Sequence, residues 1–206
     1  MSDWKSEFTK VGAVWLHDGK AERPHAVLTS GLHSDGFVNC TLITQHPELI
    51  RRILTSVEGL KGQLPAQKID WVIGSALGAV TFAFAVGESL GARAGFTEKD
   101  GETMRLARFE VKPGERVLVV EDVISTGGST LKTIAGLKEA SGGKAELLPY
   151  VVCLVNRSGQ KVLDGFEIRA LLTLDIHTWK ADECPLCKAG SEAVRPKTHW
   201  KELTGR

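Results

Sequence analysis

Short apolar runs alternate with longer mixed segments through the middle of the chain. Residues 69–74 (IDWVIG) and 117–120 (VLVV) are two such runs, each with the length and apolar content of a buried strand. Residues 79–90 are a largely apolar stretch of helical length, and they end at Gly91, a residue type common just after a helix. The pattern predicts strands and helices in alternation.

The same rhythm continues along the chain. Residues 91–96 predict another strand, a second helix opens at the glycine pair 127–128, and residues 150–155 and 170–174 supply two more strands. Because the connections are short, the sequence predicts an α/β protein with a parallel sheet flanked by helices. Ligands of this class bind at the carboxyl ends of the strands.

The two ends of the chain do not follow this rhythm. The first 45 or so residues are irregular and rich in Gly, His and Ser. We therefore predict three regions: a small N-terminal hood over residues 1–45, an α/β core over residues 46–175, and a C-terminal extension over residues 176–206 that packs on the core or the hood.

The charged residues are almost balanced. Twenty-six basic and 25 acidic side chains give a formal net charge of +1 over 206 residues, and no basic run is longer than the pair Arg51 and Arg52. This excludes the dense basic patch on which nucleic-acid and membrane-surface binding rests. We expect small-molecule partners, with no nucleic acid and no membrane.

The expected location follows from what the sequence lacks. The first ten residues contain no apolar leader stretch, and the longest largely apolar stretch, residues 78–86, is too short to cross a bilayer. Four cysteines are too few for a secreted disulfide framework of this size. We therefore expect a soluble protein of the cytoplasm.

The strongest chemical signal is the segment from Val117 to Thr130 (VLVVEDVISTGGST), in which a strand, two acids, a loop and a helix follow one another. Hydroxyls and backbone N–H groups at a helix N-terminus cradle a phosphate without a basic side chain, and glycine lets the backbone approach it. Carboxylates at the strand end can bind sugar hydroxyls and stabilise a partly cationic ribose. The segment fits neither a P-loop nor a dinucleotide-binding loop.

This segment resembles the phosphoribosyl pyrophosphate motif of type I phosphoribosyltransferases. The resemblance implies that phosphoribosyl pyrophosphate contacts Glu121, Asp122, Val123, Ile124, Ser125, Thr126, Gly127, Gly128 and Ser129. Asp122 and Glu121 would then be catalytic, and Mg²⁺, bound mainly through the substrate, would be the cofactor. A homodimer is also implied by the resemblance.

A second segment is similar to the diphosphate-binding loop of the same family. It follows the first core strand and consists of Ser75, Ala76, Leu77 and Gly78. In many family members this loop contains a cis peptide bond and directs backbone amides at the leaving diphosphate.

Three features resemble orotate phosphoribosyltransferases in particular. Residues 28–37 (LTSGLHSDGF) resemble the N-terminal base-site segment, residues 154–159 (LVNRSG) the strand end whose arginine binds the orotate carboxylate, and residues 184–187 (CPLC) recur in one branch. The resemblance implies a base site formed by Ser125, Arg157, Phe37 and Thr29. Many members have lysine at the position of Thr29 and threonine at that of Ser125, which makes the base less secure than the sugar chemistry.

The polar stretch 97–109 resembles the mobile catalytic loop of these enzymes, although it is short and lacks their histidine and dense lysines. A polar loop beside the site can close over the diphosphate and bring a cation to it. Lys99 is the preferred catalytic cation, with Arg108 and Arg105 as further candidates. We expect Lys99 and Arg108 to contact phosphoribosyl pyrophosphate.

Cys184 and Cys187 have metal-ligand spacing, and His177 and His199 lie near enough in sequence to complete four zinc ligands. A turn that packs two small apolar thiols is the alternative. The other histidines show no metal pattern.

The resemblance implies transfer of ribose 5-phosphate from phosphoribosyl pyrophosphate to orotate, giving orotidine 5'-monophosphate and diphosphate. Two alternatives stay open: a phosphoribosyltransferase for a purine or uracil, and a non-catalytic regulator that binds nucleotide or RNA with the same fold. The intact acid pair and the loop lysine favour an enzyme.

Overall fold

The structure is a computed structural model that describes residues 3–196 and 198–204. In chain order, the helices are α1 (Trp4–Lys10), α2 (Thr41–Thr44), α3 (Pro47–Thr55), α4 (Val80–Leu90), α5 (Gly128–Ala140), α6 (Pro185–Lys188) and α7 (Trp200–Thr204). The strands are β1 (Val14–Leu16), β2 (His25–Val27), β3 (His33–Ser34), β4 (Gly36–Val38), β5 (Trp71–Ser75), β6 (Arg93–Asp100), β7 (Thr103–Arg105), β8 (Arg116–Ile124), β9 (Glu146–Asn156), β10 (Val162–Leu163), β11 (Phe166–Thr173), β12 (Thr178–Trp179) and β13 (Ala193–Val194).

The chain divides into two compact units. The first comprises residues 43–174, and the second joins residues 3–42 to residues 175–204. Most of the predicted hood and the described part of the predicted C-terminal extension fall in the second unit. Where that unit packs stays a prediction.

The first unit is built on a seven-stranded sheet in the order β10-β11-β9-β8-β5-β6-β7. The five inner strands are parallel, and the two edge strands run antiparallel to their neighbours. Helices α4 and α5 pack on the sheet. The predicted α/β class with a mostly parallel, helix-flanked sheet is confirmed, and the predicted core strands and helices all have counterparts in the structure.

Apolar side chains explain why these elements form one core. The strands β5, β8 and β9 are buried along most of their length, and their side chains pack with Ile134 and Leu137 of α5. Helix α4 ends at Gly91, whose φ of 63° is the left-handed conformation that glycine adopts at little cost. These packed elements hold the strand ends in fixed positions.

The second unit contains a two-stranded sheet (β1-β4) and a four-stranded sheet (β12-β3-β2-β13). Its small core consists of Trp15, Ala26, Val194 and Leu203, with Phe37 and Trp200 packed against it. Strand β13 pairs in parallel with β2, so the unit is assembled from segments far apart in sequence.

The stretch 97–109 differs from the predicted loop. Strand β6 continues to Asp100 and pairs back with β7 in an antiparallel hairpin, in which Lys99 is opposite Met104. Met104 is buried. A Cβ at position 136 of α5 would collide with the Met104 carbonyl oxygen, so glycine there allows the hairpin to approach the helix closely. Thr97 is also buried, with its hydroxyl 2.7 Å from that of Thr133 on α5. These contacts order most of the stretch as a hairpin on α5.

Among the described residues, no helix combines the length and the apolar character that crossing a membrane requires.

Candidate active site

The acid pair lies at the carboxyl end of β8, directly beside the end of β5. The two strands are parallel neighbours, so Glu121 comes level with Ser75. The Ser75 hydroxyl lies 2.8 Å from both carboxyl oxygens of Glu121 and donates its hydrogen bond there. Both residues are buried. The structure therefore brings together the two segments that the sequence assigned to one substrate.

Asp122 is half-buried and lies against the turn that follows β5. A Cβ on Gly78 would approach its Oδ2 to 2.6 Å, closer than Cβ atoms normally come to a neighbour. Gly78 therefore leaves the space that the Asp122 carboxylate occupies. Within the same turn the peptide bond between Ala76 and Leu77 is cis, and the Leu77 side chain is exposed.

The loop after β8 leads into α5, whose N-cap residue Gly127 makes no side-chain cap hydrogen bond, and the Gly128 N–H makes a long hydrogen bond of 3.5 Å to the Thr126 hydroxyl oxygen. Gly127 precedes the helix with a φ of 79°, and the side chain of Leu163 fills the space that a Cβ there would need. Thr126 and Ser129 are exposed, while Ser125 and Gly128 are half-buried. The arrangement offers amides and hydroxyls to an anion at a 13-residue helix N-terminus.

Burial changes the protonation of the acid pair. Desolvation, reinforced by the neighbouring charge of Asp122, raises the pKa of Glu121 from 4.5 to about 8. The Ser75 hydrogen bond acts in the opposite direction but does not outweigh burial. At neutral pH the raised pKa favours the protonated form of the Glu121 carboxyl.

Arg157 follows β9 at the same end of the sheet, and its backbone N–H donates to the carbonyl of Ile124 at 2.8 Å. Its side chain is half-buried, and burial lowers the pKa of Arg157, although a guanidinium remains protonated in proteins. In residues 3–196 and 198–204 no carboxylate forms an ion pair with it. A partly desolvated cation of this kind is suited to bind an anionic ligand.

Sequence reasoning missed the residue that holds this turn. The side-chain amide of Asn156 donates to the Gln160 carbonyl at 2.8 Å, while its oxygen accepts from the backbone N–H and the hydroxyl of Ser158. The position of Asn156 at a strand end, two residues before a serine, was the available signal.

The hairpin places the three candidate cations in different surroundings. Arg108 donates to Glu98 at 2.8 Å, which raises its pKa, and Arg105 lies 4.0 Å from Asp100. Lys99 is exposed, and no ion pair of its ammonium group is found within the part of the chain that the structure describes. Of the three candidate cations, Lys99 is thus the one without an ion pair among the described residues.

The remaining predicted site residues belong to the second unit. Thr29 is exposed in the turn between β2 and β3, and Phe37 on β4 packs edge-on against Trp200, with ring centroids 5.6 Å apart. Cys184 and Cys187 lie beside His25 and His33. His177 and His199 are exposed, and each is hydrogen-bonded to another residue of the second unit.

One cavity of about 830 Å³ lies elsewhere in the first unit, along α3 and α4. Its lining is mainly apolar and includes the exposed Phe84, but none of the predicted site residues. This cavity is therefore separate from the predicted site at the strand ends.

Comparison with known proteins places the chain in a family. No family model matches it. Over 178 residues, 86% of this chain and 90% of the relative, it is 42% identical to the orotate phosphoribosyltransferase of Caldicellulosiruptor bescii. Among solved structures, an orotate phosphoribosyltransferase from Aeropyrum pernix matches with a TM-score of 0.62 at 22% identity, covering 82% of this chain and 92% of that one. An adenine phosphoribosyltransferase from Rhodothermus marinus matches with a TM-score of 0.53 at 22% identity, covering 67% and 86%.

The sheet, with an acid pair and a glycine-rich loop at its strand ends, is the fold of type I phosphoribosyltransferases. The 42% identity to an orotate phosphoribosyltransferase extends over most of both chains, and it therefore identifies one family within this class. The chain belongs to the orotate phosphoribosyltransferase family.

Proposed function

We propose that the protein transfers ribose 5-phosphate from phosphoribosyl pyrophosphate to orotate, releasing diphosphate and forming orotidine 5'-monophosphate for pyrimidine synthesis. The observation that carries the proposal is the convergence of two segments: the Ser75–Gly78 turn lies against both Glu121 and Asp122. A sugar held by the acids would have its diphosphate beside the turn.

The phosphate end of the substrate would bind at the start of α5. Backbone amides and hydroxyls of residues 125–129 would surround the phosphate there, and the helix dipole favours an anion. The backbone amides of Leu77 and Gly78 would hold the diphosphate at the other end, because the Ala76 N–H already donates to the Thr97 carbonyl at 2.8 Å. The ribose would then span the gap beside Asp122.

Catalysis would be mainly electrostatic. Departure of diphosphate leaves positive charge on the ribose, and the Asp122 carboxylate stabilises that charge more strongly than it stabilises the neutral ground state. Glu121 acts differently, because its protonated carboxyl can donate as well as accept a hydrogen bond. We assign charge stabilisation to Asp122 and hydroxyl positioning to Glu121.

Mg²⁺ fits the donor chemistry of this site. Hard oxygen ligands suit the ion, and the half-buried Asp122 carboxylate lies where substrate oxygens would supply the other ligands. Bound there, the ion would neutralise charge on the leaving diphosphate.

The base site would be organised by Arg157. Its planar guanidinium can pair at two points with the orotate carboxylate, and the Asn156 turn fixes the backbone that carries it. Ser125 belongs to the same proposed base site, and the assignment of Thr29 and Phe37 to it stays a prediction from the sequence. Purines and uracil lack the carboxylate, so this arginine favours orotate over the rival bases.

We further propose that Lys99 meets the diphosphate of a second subunit in a cytoplasmic homodimer, where these phosphorylated substrates are retained. The test mixes inactive Lys99→Ala and Asp122→Asn proteins under conditions that exchange subunits. Activity should return, because one site of each mixed dimer is intact. Proven exchange without recovered activity would mean that Lys99 serves its own subunit or none.

The function itself is tested by diphosphate release from phosphoribosyl pyrophosphate with orotate, uracil, adenine and hypoxanthine, each with and without Mg²⁺. We expect diphosphate release only when orotate and Mg²⁺ are both present. The Asp122→Asn variant serves as the low-activity control. Release with another base would support the rival transferase, and tight nucleotide binding without any release would support the regulator.

A further inference from the structure

Two cysteines and two histidines converge in the second unit. The structure brings together His25 on β2, His33 on β3, and Cys184 and Cys187 at α6, with the four potential ligand atoms all within 4.8 Å of one another. His25 and Cys184 are completely buried, His33 is nearly so, and Cys187 is half-buried. Sequence spacing had offered His177 and His199 as partners of the cysteines, and the structure places two other histidines there.

The distances within the cluster suit one small ion. His25 Nε2 lies 3.6 Å from Cys184 Sγ and 3.5 Å from Cys187 Sγ, and His33 Nδ1 lies 3.2 Å from Cys187 Sγ. In a tetrahedral zinc site, with Zn–N about 2.0 to 2.1 Å and Zn–S about 2.3 Å, nitrogen and sulfur ligands stand about 3.5 Å apart. The two ring nitrogens, 2.9 Å apart, would need to separate by about 0.5 Å to reach tetrahedral spacing.

The hydrogen bonds behind His25 fix which nitrogen faces the cluster. The Ser191 hydroxyl has one proton and donates it to the Arg23 carbonyl at 2.6 Å. It therefore accepts from Nδ1–H of His25, 2.9 Å away. The proton on Nδ1 leaves Nε2 with its lone pair, and this is the atom that lies beside both sulfurs. An outer partner that sets the tautomer of a ligand histidine is the usual arrangement in zinc proteins.

Charge and hardness of the ligands also select the ion. Two thiolates and two neutral imidazoles bind a dication with no net charge, which limits the cost of burial. Sulfur with imidazole in a tetrahedral set favours zinc over magnesium or calcium. All four positions are filled by protein, which is typical of a structural rather than a catalytic zinc.

We infer that His25, His33, Cys184 and Cys187 form a structural Zn²⁺ site that ties the N-terminal segment of the second unit to its C-terminal segment. Binding releases the two thiol protons to solvent. The ion crosslinks residues far apart in sequence within a unit whose apolar core is small, where a metal stabilises most effectively. It also fixes the base of the β2–β3 hairpin, whose turn contains Thr29.

The first test is metal content of protein purified without chelators or metal-affinity resin. We expect about one zinc per chain in the wild type, and less than about 0.1 in Cys184→Ser/Cys187→Ser, because two of four ligands are lost. The matched control is His177→Ala/His199→Ala, which removes the other two nearby histidines and should keep its zinc. Loss of zinc from this control, or a metal-free wild type that takes up no zinc, would overturn the site.

A second test does not depend on how the cysteine variant folds. Metal-free wild type, prepared by chelation, should show the visible bands of tetrahedral thiolate-bound Co²⁺ when Co²⁺ is added, and its Tm should rise when Zn²⁺ is restored. Ser191→Ala should weaken zinc affinity by about 10- to 100-fold without abolishing binding. Unchanged Tm with no Co²⁺ bands, or a thiol count two short of four because of a disulfide, would contradict the proposal. None of these readouts uses enzymatic activity.

Discussion

Two glutamates at opposite ends of β8 have pKa values displaced in opposite directions. Glu115, just before the strand, accepts a hydrogen bond from Arg93 at 2.6 Å and others from the Lys112 backbone and the Trp71 indole. These partners, Arg93 above all, lower its pKa to about 2. At the other end, burial beside Asp122 raises the pKa of Glu121 to about 8.

The difference separates what holds the sheet from what acts on a ligand. At the amino end the carboxylate is paired, and Arg93 also stacks over the Trp71 ring at 4.4 Å. At the carboxyl end a buried carboxyl has a hydroxyl partner but no cation in the described structure. Perturbed groups of the second kind cluster at functional sites, because the ligand supplies the missing partner. Changes at the two ends should therefore affect different properties.

The largest expected effect is on turnover. Asp122→Asn keeps the shape of the side chain but removes its charge, so kcat should fall by about 10² to 10³ with the fold retained. Steady-state diphosphate release at saturating substrates and a circular dichroism spectrum measure the two quantities. Glu115→Gln, the same kind of change at the amino end, should leave kcat unchanged. Equal losses of kcat in the two variants would show that the carboxyl end of β8 is no more important for turnover than the amino end.

Arg157→Ala should act on one substrate. Removing one partner of a charge-assisted pair at a partly buried site costs about 2 to 5 kcal/mol, so the orotate KM should rise at least tenfold, far more than that of phosphoribosyl pyrophosphate. Arg157→Lys is the matched variant, because it keeps the charge but loses the planar fork and should be intermediate. A parallel rise in both KM values would show that Arg157 does not read the base.

Glu121→Gln should change how stability depends on pH. The native state retains a proton that the unfolded chain has lost between pH 4.5 and about 8, so wild-type stability falls as pH rises through this window. The variant has no such titration. The Tm of the variant minus that of the wild type should therefore increase from pH 5 to pH 9. Thermal unfolding across that range provides the comparison, and a constant difference in Tm would argue against a protonated Glu121.

The smallest effect is expected for Glu115→Gln, with the opposite sign. A lowered pKa contributes stability above pH 4.5 that is lost as pH falls toward about 2. The wild type should therefore exceed the variant slightly in Tm at pH 6, and the gap should close in acid. A surface pair is worth little, so only a small Tm difference is expected. A gap that widened in acid would contradict the assigned pKa.

Local sequence pattern predicted the parts of the fold that local physics controls. The apolar runs became β5 and β8, and Gly91 ended α4, because burial and backbone freedom act within a few residues. The stretch around Lys99 reads as a loop because it is polar, but buried Thr97 and Met104 anchor it as a hairpin on α5. That contact is between distant segments, so no local pattern contains it.

The site shows the same limit. The strand–acid–glycine segment predicted a strand, a loop and a helix in succession, and the structure has them, since these elements are contiguous. The Ser75–Glu121 hydrogen bond and the grouping of His25 with Cys184 join residues 46 and 159 positions apart. Such pairs depend on sheet order and on how chain ends meet, which a single sequence does not display.

The second unit is formed from two segments that lie on either side of the first unit in the sequence, and this order determines when it can assemble. Strand β2 lies between β3 and β13 in its sheet, and residues 175–204, which include β13, are synthesised after the whole of the first unit. During translation residues 43–174 can fold as their own core emerges, whereas residues 3–42 must wait for residues 175–204. Residues 3–42 are thus made before the first unit but complete their packing after it, and until then their strands and the histidines of the proposed zinc site are exposed to chaperones and proteases.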